Sequence, residues 1–185
     1  MNIDVTGLEI AVDVLQSITT QAPNEVAKAL NKAATKGKIK ATALIVRNYY
    51  VDRSTVYETM TVKRAGASNL EAGIHVRSSP MALSKFKINP TNVPIGQRQS
   101  GGVTAQVRKG GGGLIESAFL VRYKSGHLSV VERTGKGRND IRDLYGPSVT
   151  GMLGTNNIRL MVIDDMKSTA AAALESVLDN VLGGA

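Results

Sequence analysis

Four groups of residues have types and spacings that could do chemistry. Lys109 precedes four consecutive glycines, Gly110 to Gly113, which suggests a phosphate cradle. A phosphate-binding loop needs a Lys-Ser or Lys-Thr pair after its second glycine and a helix behind it. Here the strand-like run LIESAFLV follows instead, so the glycines predict a flexible hairpin at about 109–114. His127, behind Gly126, could act as a general base, but no nucleophile pattern accompanies it and a turn histidine is the plainer reading. Asp164 and Asp165 could ligate a cation. Adjacent helical positions point about 100° apart, so the two carboxylates diverge, and acids near a helix start suit its dipole. The fourth group is Arg133, Lys136, Arg138 and Arg142, four bases in the ten residues RTGKGRNDIR, with Asp140 as the only acid. A basic, Gly-rich loop of this kind suits an anionic target, either a phosphate backbone or an acidic patch on another protein. A plain solvated turn is the alternative.

No catalytic, cofactor-binding or metal site assembles from the rest. Cysteine is absent, and His75 and His127, far apart in sequence, are the only histidines. Seven aromatic rings and no Trp make a base-stacking platform a poor expectation. No apolar run approaches the ~18 residues of a membrane span. The start, MNIDVTGLEI, lacks the basic flank and apolar stretch of a secretory leader, so the expected site of synthesis is a reducing, cytoplasm-like compartment. The net charge of +8 is unevenly placed: residues 1–26 carry −4, residues 27–142 carry +15 and residues 143–185 carry −3. A basic middle between acidic ends fits a polyanion or acidic partner, or copies that meet end to middle.

The elements that must position the basic loop follow from periodicity. Residues 8–18 place Leu8, Val12 and Leu15 at helical spacing. From Glu25 to about Tyr50 an Ala- and Lys-rich stretch predicts a long helix, with Val26, Leu30, Ala33 or Ala34, Ala41, Leu44 and Ile45 on one stripe. Gly37 is a kink or a point of close packing. Lys28, Lys32, Lys36 and Lys40 align on another face, which reads most simply as solvated. Ser54, with Glu58 behind it, starts a short helix. Alternation in 61–65, 70–79, 103–109, 114–123 and 126–134 predicts strands. Residues 141–154 read as a short helical or turn segment broken at Gly146–Pro147. Last comes an amphipathic helix from about Asn157 to Leu182, with Ile163, Met166, Ala170, Leu174, Val177 and Val181 at steps of three or four. Its roughly 37 Å length matches that of the whole body expected for this chain, so part of the stripe is expected to pack on another chain.

The expected fold is therefore α+β: N-terminal helices, an antiparallel β meander or barrel-like sheet over about 60–134, and a long C-terminal amphipathic helix. One domain, 1–185, is expected, with an extended loop or arm at about 80–102.

The order of motifs resembles the minor tail protein Z family, tail completion proteins of lambda-like tailed bacteriophages. The resemblance runs through ALNKA (Ala29–Ala33), the segment Arg47–Tyr50, TVKRA (Thr61–Ala65), VRSSPMALSKF (Val76–Phe86) and TAQVRKG (Thr104–Gly110). Its most specific blocks are GHLSVVERTGKGR (Gly126–Arg138) and LYGPSV (Leu144–Val149). The resemblance implies a structural virion protein and not an enzyme. It implies a ring of several copies, with six as the candidate number, at the head-proximal end of the tail. Neighbouring terminator, tail tube or neck proteins would be partners, with non-specific contact to DNA in the tail lumen and none to a membrane. Arg133, Lys136, Arg138, Arg142, Tyr145 and Pro147 would then dock the subunit, and the C-terminal stripe would build the oligomer. The alternative is a basic, non-sequence-specific nucleic-acid-binding module. It lacks a helix-turn-helix signal, a zinc site and an aromatic platform.

Overall fold

A computed structural model of the chain describes residues 2–4, 20, 22–99, 101–137, 139–155 and 157–182. The helix expected over 8–18 and Arg138 lie outside the described residues, and of Val181 only the backbone is described. The fold class is the expected one, mixed α+β with antiparallel sheets and a long C-terminal helix. The chain divides into two compact units, one of residues 1–44, 57–77 and 150–185, the other of 45–56 and 78–149.

In the first unit, helix α1 (Pro23–Asn48) runs through the Ala-rich stretch, and its residues from Ile45 onward count with the second unit. Ala has the highest helix propensity, and its small side chain lets neighbours approach closely. The expected stripe is buried in full: Val26, Leu30, Ala33, Ala34, Ala41, Leu44 and Ile45. Gly37 is a point of close packing. A Cβ there would overlap Met166 and come within 3.1 Å of Ile74. Met166 belongs to α4 (Ile158–Leu182), and Ile74 to strand β3 (Gly73–Val76). Helix and strand thus converge on one glycine of α1. Strand β3 is central in an antiparallel sheet, between β1 (Asn2–Asp4) and β2 (Met60–Lys63).

Helix α2 (Arg53–Glu58) is capped by Asp52, two residues before Ser54. Asp52 accepts hydrogen bonds from the Thr55 N–H (3.1 Å) and the Ser54 hydroxyl. A carboxylate that accepts amide protons here satisfies donors the helix start leaves open. Those bonds, led by the Ser54 hydroxyl, hold the Asp52 carboxyl below its ordinary value.

The second unit is built of short strands: β4 (Met81–Ala82), β5 (Lys87–Asn89), β6 (Arg98–Gln99), β7 (Val103–Gln106), β8 (Gly113–Ile115), β9 (Ala118–Arg122), β10 (Leu128–Arg133), β11 (Ile141–Asp143) and β12 (Tyr145–Gly146). They form sheets in the orders β5-β7-β8, β11-β10-β9-β6 and β12-β4. Pairing is thus divided among several small sheets, where one meander would have joined each strand to the next. The stretch 114–123 is two strands, not one: Glu116 and Ser117 turn the chain between β8 and β9. Residues 141–146 are also extended. The backbone turns helical only at α3 (Val149–Leu153), after Pro147, which cannot donate to a ladder. A Cβ on Gly146 would lie 2.6 Å from the Phe86 ring, so the LYGPSV block needs glycine to seat β12 beside β4.

Candidate docking groove

The second unit carries a groove of about 840 Å³. Its floor follows from register. Phe119 and Val121 alternate with the buried Ala118 and Leu120 along β9, so they face the opposite side of the sheet. Arg98 stands opposite Val121, and Ile141 stands opposite Arg133 two positions along β10 from Val131, the partner of Phe119. Phe119, Val121, Tyr123 and Ile141 give the groove an apolar and aromatic floor, and Arg98, Arg133 and Lys136 supply its charge. No carboxylate is among its lining residues that the structure describes.

The basic loop is a closed turn. The Asp140 carboxylate accepts the Gly137 N–H at 2.8 Å, and the Thr134 N–H donates to the Asp140 carbonyl at 2.9 Å. A side chain on Gly135 would come within 2.5 Å of that carboxylate and one on Gly137 within 2.7 Å, so the turn has no room for either. Arg133 ties the turn to the floor: its Nη1 donates to the Gly137 carbonyl at 2.9 Å, and its guanidinium lies 5.7 Å from the Phe119 centroid. Such a contact is electrostatic attraction to the ring face. The only acid of the loop is thereby used internally, and the bases keep the outward field.

The expected docking residues divide. Arg133 and Lys136 line the groove. Arg142 forms an ion pair with Glu132 across the β10–β11 register and is not among the groove's lining residues. Tyr145 is 59% exposed and Pro147 half-buried, and neither lines the groove. Arg138 lies outside the described residues. Three residues that sequence reasoning missed complete the surface: Arg98, Phe119 and Tyr123. Burial and the nearby Asp143 carboxylate push the Tyr123 phenol up from its ordinary value. Tyr123 also stacks on His127, with ring centroids 6.1 Å apart, while His127 Nε2 meets the Ser129 hydroxyl at 3.1 Å. His127 thus braces the turn.

The remaining chemical candidates resolve locally. The Lys109 N–H donates to the Asn48 carbonyl, and the glycines close the β7–β8 hairpin. Asp165 lies too deep in α4 to cap it and pairs with Lys40 at 3.4 Å. Of the C-terminal stripe, Met166, Ala170 and Leu174 are buried, while Ile163 and Val177 are half-buried. The buried row continues N-terminally through Val162 and Ile158 instead of Ile163. Among the described residues no helix is long and apolar enough to cross a membrane.

The family described as Prophage minor tail protein Z (GPZ) matches residues 5–182. The chain is also similar to a protein named "Tail completion protein" from Escherichia phage N15, at 28% identity over 136 residues, 73% of each chain. No solved structure matches the chain.

Proposed function

The chain belongs to the prophage minor tail protein Z family, and from that membership we propose that it completes the head-proximal end of a phage tail. In this reading it is a structural virion protein, one subunit of a ring of several copies, with six as the candidate number. The ring supports head–tail joining and leaves a path for DNA. The N15 relative carries the name of that role. The observation that carries the docking part is the groove's composition: an aromatic floor beneath Arg98, Arg133 and Lys136, with no carboxylate among its described lining residues. Aromatic and Arg anchors in a desolvated pocket are what protein interfaces use. The fitting occupant is an acidic surface of an adjacent subunit, whether another copy or a terminator, tube or neck protein.

The half-buried flank of α4, with Ile163 and Val177, supports self-association. The test is a phage lacking this gene, complemented by a tagged copy. The tag is expected on purified tails at the head-proximal end, and uncomplemented tails are expected not to yield infectious particles. A tag absent from tails, or full infectivity without the gene, would contradict the assignment.

A further inference from the structure

We propose that the lysine face of α1, together with Arg64, is a second functional surface, and that it contacts the sugar–phosphate backbone of duplex DNA without regard to sequence. The inference rests on the tail reading for where DNA would be met. Its geometry lies wholly within the first unit.

Lys28, Lys32 and Lys36 stand four residues apart. Each step advances about 6 Å along the helix and turns it by about 40° beyond a full turn, so the three ammoniums follow one side of α1 over about 12 Å. With Asn31, Thr35 and Arg64 they line a groove of about 390 Å³. Arg64 reaches it because the loop after β2 is pinned to the helix. Asn31 Nδ2 donates to the Ala65 carbonyl at 2.9 Å, and Asn31 Oδ1 accepts the Ala65 N–H at 2.8 Å. The Thr35 hydroxyl donates to the Asn31 carbonyl at 2.8 Å. The polar floor is therefore satisfied, and the cations are what remains to be neutralised. Lys32, Lys36 and Arg64 have no ion-pair partner among the described residues. Lys28 pairs with Glu25 at 2.6 Å on the exposed surface, where such a pair is weak and a phosphate can replace it.

The lining decides between partners. Its six residues include no aromatic and no apolar side chain, so it lacks the anchor around which protein interfaces are built. Ammoniums on long, flexible stems act as hydrated point charges, which suits contacts that position a duplex without reading it. The groove of the second unit, with Phe119 and Tyr123 in its floor, is the opposite case.

The test is fluorescence anisotropy of the full chain with a random-sequence duplex between 50 and 200 mM salt. Four engaged cations give a log–log slope of about −3.6, an affinity loss of roughly 150-fold across that range. The double variant Lys32→Gln/Lys36→Gln is expected to lose about 1.8 from the slope while melting as the unchanged protein does. Arg98→Gln/Lys136→Gln is expected to keep the slope. No salt-dependent binding by the unchanged protein, or the same slope in the lysine variant, overturns the proposal. Incorporation of the lysine variant into purified tails separates this inference from the tail role. Exclusion from tails with DNA binding intact makes the lysine face a protein contact and overturns the DNA site. Absence of the unchanged protein from tails overturns the tail role alone, and the slopes still decide the DNA site.

Discussion

Single residues carry the strongest local constraints. Glycine at the centre of a helix costs about 1 kcal/mol relative to Ala, yet Gly37 sits in the middle of α1. The reason is the Met166 side chain lying where a Cβ would go. Gly37→Val is expected to destabilise the protein by about 1–3 kcal/mol through overpacking, lowering Tm by several degrees. Thermal circular dichroism checks this, and an unchanged or raised Tm would show that the helices do not meet there. Asp52 gives a pH signature. Its carboxyl is held below the ordinary 3.8, so the charge contributes stability above that value and loses it as pH falls through the lower folded one. Asp52→Asn keeps a competent cap without the charge. Urea unfolding is expected to show a gap between the two proteins at pH 5 that narrows by pH 3. A gap independent of pH would contradict the assigned bonds. At this scale the sequence showed that Gly37 was special, and the partner that makes it so lies more than a hundred residues away. Asp52 was missed, because the local pattern of Ser54 and Glu58 drew the expected helix start to Ser54.

At the scale of elements, periodicity found α1 and α4 to within a few residues because each buries one face on a steady period. It misplaced the start of the α4 stripe by one position, at Ile163 for Val162. Both are β-branched and apolar, and only the packing partner distinguishes them. The strands were found as alternating runs, but their pairing was not legible. Two- and three-residue strands such as β4, β6 and β12 carry too little pattern to announce a partner, and their register is set by contacts distant in sequence. That is why Arg98 was missed: its place in the groove depends on pairing with Val121. The α4 stripe itself is testable. Leu174 is 3% exposed and Leu160 57% exposed. Leu174→Asp is expected to cost several kcal/mol or to prevent folding, since a charge would be buried unpaired. Leu160→Asp is expected to stay within about 0.5 kcal/mol. Equal melting of the two variants would contradict the assigned face.

At the scale of the whole molecule, charge segregation in the sequence resolves into two basic surfaces of different chemistry. One has an aromatic floor and suits a protein; the other has only basic and uncharged polar residues among its described lining and suits a phosphate backbone. The sequence displayed both cation clusters, the loop from Arg133 and the ladder from Lys28, and the family blocks pointed to the first. It could not display the floor, because Phe119 and Tyr123 read simply as strand hydrophobics until register placed them under the loop. The tail role proposed above turns on docking of the subunit through the loop and groove. The most direct test replaces Arg133, Lys136 and Arg138 together by Ser in complemented phage, counting head–tail joining by electron microscopy alongside titre. The expected outcome is tails that fail to join heads and a titre reduced by orders of magnitude. Normal joining with normal titre would contradict it.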